Sequence, residues 1–379
     1  MLIYLGLSAL AASASAVLLL LFGEPSLLAA LHLVIAVAIL PLIFGAIAHF
    51  VPVLTRSASA PRTVLLAPLL LQLSGLLVVL HFSGILGSDA LQMAAGVALL
   101  TAITFAGWLV VRARGTLGKP HPGWRWYLAA TALLVVGLAL VPAMYYWPES
   151  RQSLRLLHLH INTLGFVGLT AIGTLQVLMP TVLSGPDAEA AVRLRRDLPL
   201  AVAAVLAIGL GAAFWWPLAL LGSVGLAFVV SRLGLSWRSR YGLRLIMSDG
   251  ASASLAVALF GFLLLLVLGS VHGLLGFLSG HDVVLAFVAL FLLPLVTGAL
   301  SQLLPVWRYP GRCTPERDHL RKVLVQGGAL RAVVFLVAGL FLALGHETGY
   351  GMAAIGLLWF VLQLIRGLGF PDRKDGSQK

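Results

Sequence analysis

The chain is organised as long apolar stretches separated by short polar loops. A helix needs roughly 20 apolar residues to cross a hydrocarbon core of about 30 Å. Spans seven and eight are separated only by Trp215, Trp216 and Pro217. The pattern predicts an all-α polytopic membrane protein with twelve transmembrane helices, at residues 2–22, 27–54, 63–82, 90–111, 126–146, 154–183, 198–216, 218–235, 253–273, 282–306, 329–346 and 350–368.

The composition agrees with this prediction. Of 379 residues, 60% are hydrophobic and 10% are charged, which excludes a soluble globular domain and a disordered chain. The single cysteine, Cys313, excludes a disulfide scaffold and a CxxCH site for covalent heme. Residues 14–16 look like a signal-peptidase site, but no Lys or Arg precedes Arg56, so we predict that the first stretch is a retained helix.

Lysine and arginine lie almost entirely on one side of the predicted membrane. Of the 25, only Arg151 and Arg155 fall outside the loops after even-numbered spans and the C-terminal segment. The positive-inside rule therefore predicts that both termini are cytoplasmic. The net charge of +12 is spread over all these loops, which argues against nucleic-acid binding. All acidic residues fall in loops or at span ends, which argues against a proton-coupled carrier.

Spans two, six and ten end on one pattern, a glycine seven residues before a proline. The three prolines are 128 and 125 positions apart, close to one third of the chain. This spacing predicts a single membrane domain, 1–379, built from three four-helix repeats at about 1–122, 123–250 and 251–379. The alternative is that similar helix ends arose independently. The pairs are Gly45 and Pro52, Gly173 and Pro180, and Gly298 and Pro305.

Histidine is the main polar residue within the predicted membrane. A ring at the end of a span is usually only interfacial, and we interpret His272 and His346 in that way. A ring one or two turns inside the membrane costs free energy unless something binds it. Seven of the ten histidines lie in the outer half or the outer loops: His32, His81, His158, His160, His272, His281 and His346.

The pair His158 and His160 is the most informative of these. Residues two apart on a helix point about 200° apart, so the two rings can serve two sites but not one metal from one helix face. His32 stands twenty residues before Pro52, and His160 stands twenty before Pro180, which places them at one depth in two repeats. The alternative is one interhelical hydrogen bond and one interfacial ring.

The two outer arginines precede this pair by about one and two helical turns. Arg155 is three residues before His158, and Arg151 is seven before it. Guanidinium groups pair with carboxylates, so the two would suit the propionates of an outward-facing heme. The alternative, two solvated interfacial arginines, explains their positions equally well.

Residues 158–168 read HLHINTLGFVG and lead to Gly173 and Pro180. This segment resembles the tenth helix of heme-copper oxidase catalytic subunits, above all the C-type pattern HVHxxxLGWVG with Gly and Pro at the same spacing. Span two, with His32, Gly45 and Pro52, resembles the sixth helix, which supplies a copper ligand. The NnrS membrane proteins are a looser match. The resemblance implies threefold pseudosymmetry and redox centres near the outer face of a bacterial inner membrane.

In that family the first histidine of the pair binds a high-spin heme and the second a low-spin heme, roles that the resemblance gives to His158 and His160. The pair lies here in the second repeat rather than the third, so every role shifts by one repeat. His32 and His81 then become copper ligands, and His281 becomes the second low-spin ligand. The alternative, in which His32 and His160 bind the same heme from its two sides, needs no shift. Both assignments remain open. The implied cofactors are one or two b-type hemes, with copper.

Other residues depart from the family pattern. Residues 63–82, where the shift would place an active-site tyrosine, contain no tyrosine. No second histidine accompanies His81, and the intramembrane carboxylates that nitric-oxide reductases keep are missing. These departures argue against oxygen reduction.

We therefore predict a heme-binding membrane protein for electron transfer or nitrogen-oxide handling, an oxidoreductase if it is an enzyme. A cytochrome or another respiratory subunit would be its partner. Two neutral imidazoles on heme iron would give a six-coordinate, electron-transferring centre. The main alternative is a transporter or metal permease whose outer histidines recruit Cu or Zn. A third reading is a cofactor-free assembly subunit.

Overall fold

The computed structural model describes residues 1–23, 26–116, 118–183, 185, 187–276 and 278–369. Glu24 and the C-terminal charges Asp372, Arg373, Lys374, Asp375 and Lys379 lie outside these ranges. Within them the chain forms twelve helices long and apolar enough to span a membrane, which confirms the predicted number. We number them α1–α12: Leu2–Phe22, Leu27–Leu54, Arg62–Phe82, Ser88–Arg114, Gly123–Tyr146, Pro148–Leu183, Ala190–Phe214, Trp216–Ser248, Gly250–Leu275, Gly280–Arg308, Pro315–Ala343 and Thr348–Leu368.

The least secure predicted boundary, between α7 and α8, is confirmed. Trp215 has an extended backbone, with φ −157° and ψ 90°, and ends the helix that precedes it. Both helices nevertheless run well past their apolar stretches. α7 begins at Ala190, eight residues before the predicted span, and α8 continues to Ser248 across a non-helical Gly242. Charged residues therefore lie within helices at this end of the molecule.

Three helices contain a π-helical segment at about the same place. These segments are Leu33–Ile39 in α2, Ile161–Gly168 in α6 and Val288–Leu292 in α10. His32 and His160 are the last α-helical residues before the first two segments. A π turn shifts the direction of the side chains that follow it and often occurs at functional sites.

The glycine of each Gly-Pro pair lies against the helix that precedes its own. A Cβ atom at these glycines would come too close to a neighbouring side chain, so only glycine allows the approach. An added Cβ would overlap Leu5 of α1 at Gly45, lie 2.7 Å from Trp126 of α5 at Gly173, and lie 2.9 Å from Ser254 of α9 at Gly298.

Two other helices combine shorter segments. α3 consists of Arg62–Leu65 and Ala67–Phe82. α11 begins with the charged helix Pro315–Val325 and continues as Gly328–Ala343 after a break at Gln326 and Gly327.

Arg331 does not lie in a loop, although the charge count places it with the cations of the polar loops. It belongs to the membrane part of α11 and is fully buried. Its guanidinium donates to Gln363 and stacks over Phe360, with 4.8 Å between Cζ and the ring centroid. The amide and the ring take the place of a counter-ion.

Helices α2, α6 and α10 form the centre of the molecule. In their most apolar windows 50%, 72% and 67% of the residues are buried, against 28–44% in the other nine helices. Those nine present large apolar side chains outward, such as Leu73, Phe228 and Leu358. This distribution suits a protein that sits in a lipid bilayer.

Candidate functional site

The loops divide the polar residues between two ends of the helix bundle. We call the end with the loops after odd-numbered helices the histidine end, because it carries His32, His81, His158, His160 and His272. The other is the basic end, with the loops after even-numbered helices. The described residues place the site predicted from the sequence at the histidine end.

The pair on α6 is held in an ordinary α-helix, Arg151–His160, as the 200° argument requires. His158 Nδ1 lies 2.7 Å from the carbonyl oxygen of Gly137 in α5. His160 Nδ1 lies 2.8 Å from the carbonyl oxygen of Leu156, one turn earlier in its own helix. The two rings therefore have different surroundings although they are only two residues apart.

His32 is the histidine whose ring would feel a charge on His158. His32 Nδ1 lies 2.7 Å from the carbonyl oxygen of Leu28, and its ring centroid lies 4.9 Å from that of Phe82. The start of α2 thus lies against the end of α3.

For His160 the corresponding ring is that of His272 at the end of α9, whose charge would be felt at His160. His272 Nδ1 contacts the carbonyl oxygen of Leu278. The sequence interpretation treated His272 as merely interfacial. Its place follows from the packing of two antiparallel helices, since a Cβ on Gly168 of α6 would lie 3.0 Å from Phe262 of α9. His160 is eight residues from Gly168, and His272 is ten residues from Phe262. These separations correspond to about 12 and 15 Å along the two helices.

The remaining predicted ligands lie at the edge of this region. His81 Nδ1 is 3.1 Å from the carbonyl oxygens of both Leu86 and Gly87, and the ring lies 5.1 Å from that of Phe82. His281 is half exposed, and its Nδ1 lies 3.0 Å from the carboxylate of Asp282. The pairing of His160 with His281 or with His32 stays a prediction.

Five of these rings share one hydrogen-bonding arrangement. A carbonyl oxygen only accepts, so the Nδ1 atom facing it carries the hydrogen, and the Nε2 lone pair of a neutral ring stays free. Histidines that bind metal or heme iron usually have this arrangement, because the second ring nitrogen fixes the tautomer and orientation. The donor set therefore fits heme iron. The five are His32, His81, His158, His160 and His272.

Arg151 and Arg155 lie exposed at the start of the helix that carries the pair. Their guanidinium groups are therefore accessible at the histidine end, where a carboxylate-bearing ligand would emerge. Over the described ranges no three side chains from His, Cys, Asp and Glu come together as a metal site. His32, His81, His158 and His160 thus form no three-ligand copper site there.

A central cavity of about 790 Å³ lies between α2, α6 and α10. It begins seven residues past His32 and His160, toward the basic end. Each helix contributes six residues at 13, 10, 9, 6, 5 and 2 positions before its proline, and Tyr127 of α5 and Trp307 of α10 complete the lining. The six on each helix are Ile39, Leu42, Ile43, Ala46, Ile47 and Phe50; Val167, Thr170, Ala171, Thr174, Leu175 and Leu178; and Leu292, Leu295, Val296, Ala299, Leu300 and Leu303.

The basic end is held by ion pairs. Asp187 accepts from Arg193 at 2.6 Å and from Arg240 at 2.8 Å, and the buried Asp197 pairs with Arg196 at 2.9 Å. Burial works to raise the pKa of the Asp187 carboxyl. The hydrogen bonds from Arg193 and from the N–H of Glu189, with the nearby positive charges, outweigh burial and hold that pKa below its ordinary value.

Comparison with known proteins adds no relative. No protein-family model, no curated protein and no solved structure matches the chain. The function must therefore be argued from the side chains and their geometry.

Proposed function

We propose that the chain is a heme-binding membrane protein that transfers electrons or handles nitrogen oxides and other diatomic gases. The observation that carries this proposal is that His32, His158, His160 and His272 each hold Nδ1 against a backbone carbonyl at the histidine end. A charge on His158 would be felt at His32, and a charge on His272 at His160, so we pair them in this way. Each pair offers two Nε2 atoms with their Nδ1 atoms fixed by carbonyls, as heme ligation requires.

His160 and His272 would be the axial ligands of a low-spin b-type heme. Held by two imidazoles, such a heme would supply reversible one-electron chemistry. The carbonyls of Leu156 and Leu278 orient the two rings, and Gly209 of α7 packs close to Leu157 in the same helix, where an added Cβ would lie 3.0 Å from that side chain. Arg151 and Arg155 would neutralise the propionates.

His158, with His32 facing it, would hold the second centre. If only one of these histidines coordinates, the open position can accept NO or O₂. Phe82 lies against His32 and makes this neighbourhood partly apolar, which favours a neutral diatomic ligand over a charged one. Copper is left out of the proposal, since the described side chains supply no third ligand near His32 and His81.

The repeat is part of the proposal. We infer three four-helix units around an axis through the central cavity, with both termini in the cytoplasm of a bacterium and the histidine end outside. Six lining positions recur in the three helices at identical distances from Pro52, Pro180 and Pro305. The glycine contacts to α1, α5 and α9 recur in the same way. Both observations support the unit boundaries near 122 and 250.

The experiment is visible spectroscopy of the purified full chain from heme-replete cells, oxidised and then reduced. We expect a Soret band and sharp reduced α and β bands, lost in His160→Ala. His346→Ala is the matched control, because that ring is exposed at the same end and contacts only Phe341 in the recorded ring contacts. A colourless wild-type preparation would overturn the proposal.

The permease alternative makes the opposite prediction. Its metal would be bound without heme, so metal analysis of the same colourless sample would find Cu or Zn that His32→Ala removes. No third ligand beside the histidine pairs supports such a site in the described chain, and we therefore rank it second.

A further inference from the structure

The central cavity carries chemistry that the heme proposal does not use. Of the eighteen lining positions that recur in the three helices, sixteen are apolar. The two exceptions, Thr170 and Thr174, both lie on α6. Their counterparts are Leu42 and Ala46 on α2, and Leu295 and Ala299 on α10. The cavity is therefore uncharged and mostly apolar. Its hydroxyls, those of Thr170, Thr174 and Tyr127, lie on the α6 side, and Trp307 adds one indole ring on α10.

The hydroxyls on the α6 side are not all satisfied. Thr174 donates to the carbonyl of Thr170 at 2.7 Å, so the 3.1 Å contact between Thr174 and Tyr127 must use the tyrosine hydrogen. The Thr170 hydroxyl is 94% buried and makes no hydrogen bond within the described structure. A buried hydroxyl without a partner is costly, so Thr170 offers a donor to whatever occupies the cavity.

The shape fits a chain-like molecule. From Ile39 to Phe50 the lining covers eleven helical steps, or about 16 Å along the axis. The lining is of the kind found in small-molecule sites, which are mostly apolar with a few placed polar groups. A charged ligand would find no counter-ion among the lining residues.

We propose that this cavity binds a neutral single-chain lipid whose head carries a hydroxyl or carbonyl oxygen. The head accepts from Thr170 beside Thr174 and Tyr127, and the chain lies along the apolar walls of α2 and α10. An isoprenoid alcohol and an isoprenoid quinone share this chemistry. Lipid binding at this site does not require heme. The lipid proposal and the proposed function can therefore be tested and contradicted independently.

The test uses the full chain in lipid nanodiscs and two labelled probes with the same skeleton, farnesol and farnesene. Only farnesol carries the oxygen. One neutral hydrogen bond corresponds to an affinity advantage of about 2- to 10-fold for farnesol over farnesene. Thr170→Val keeps the shape of the side chain and should remove that advantage. Empty nanodiscs give the background.

Thr181→Val is the matched control, since that exposed threonine on the same helix donates only to the carbonyl of Val177. Ala299→Phe should fill the cavity and abolish binding of both probes. Competition of farnesol by decylubiquinone would identify carbonyl heads as well as hydroxyl heads; no competition would restrict the site to alcohols. Equal affinity for farnesol and farnesene in the wild type, or a farnesol advantage that survives Thr170→Val, would overturn the proposal.

Discussion

Polar side chains have different kinds of partner at the two ends of the bundle. At the basic end, Asp187 and Asp197 neutralise the arginines that surround them. At the histidine end, five imidazoles each give one nitrogen to a backbone carbonyl and keep the other free. The first arrangement is complete in itself and stabilises the fold. The second has unused binding capacity, so it is where we expect a cofactor.

The largest expected effect is a difference between the reduced spectra of the His272 and His281 variants. We expect His272→Ala to abolish the low-spin reduced bands, because it removes the ring that would hold the heme together with His160. His281→Ala should keep them, because that ring is half exposed beside Asp282. Reduced-minus-oxidised spectra of the two purified variants provide the measurement. The opposite result would restore the pairing implied by the family resemblance.

At the basic end, Asp187→Asn should destabilise the fold without changing any spectrum. The carboxylate is 2% exposed and accepts from two arginines. Charge-assisted hydrogen bonds contribute about 1.5–3 kcal/mol each in favourable cases, and the partly exposed Arg240 lowers the sum, so we expect a loss of about 2 kcal/mol. Unfolding in mild detergent measures it. Glu189→Gln, which alters a carboxylate that is 78% exposed and 3.7 Å from Arg193, should have little effect.

The same carboxylate predicts a pH dependence. The pKa of Asp187 in the folded protein lies below its ordinary value of 3.8. Its contribution to stability is therefore complete above about pH 4 and is lost as the pH falls through the folded pKa, since the unfolded chain then binds the extra proton. The difference in melting temperature between wild type and Asp187→Asn should shrink over that interval. A difference that grows on acidification would contradict the ion-pair account.

The smallest effect should come from Arg155→Gln at the histidine end. The guanidinium is exposed, and exposed ion pairs contribute about 0.2–1 kcal/mol. Heme retention should therefore fall only about 1.5- to 5-fold, with unchanged band positions. Titration of the apoprotein with heme measures this at low salt, and high salt should reduce the difference between variant and wild type.

The number of helices could be predicted from the sequence because a bilayer demands long apolar stretches. The ends of the helices could not be predicted in the same way. α7 begins eight residues before its apolar stretch, in a region where Arg193 forms an ion pair with Asp187. The π segments after His32 and His160 have no pattern of their own in the sequence.

The candidate site was predictable in part. The two directions of His158 and His160 follow from helix geometry, and the structure gives the two rings different partners. His272 could not be selected from the sequence, because its position depends on the contact between Gly168 and Phe262. The threefold spacing of the prolines could be seen in the sequence. The cavity could not be predicted, because it depends on how α2, α6 and α10 pack together.

The central claim is that the α6 pair serves two separate centres. The most direct test compares His158→Ala with His160→Ala in reduced spectra recorded with and without CO. We predict that His158→Ala loses the CO-reactive component and keeps the sharp low-spin bands, whereas His160→Ala loses those bands and keeps the CO response. Loss of the same bands in both variants would mean one shared site and would contradict the account.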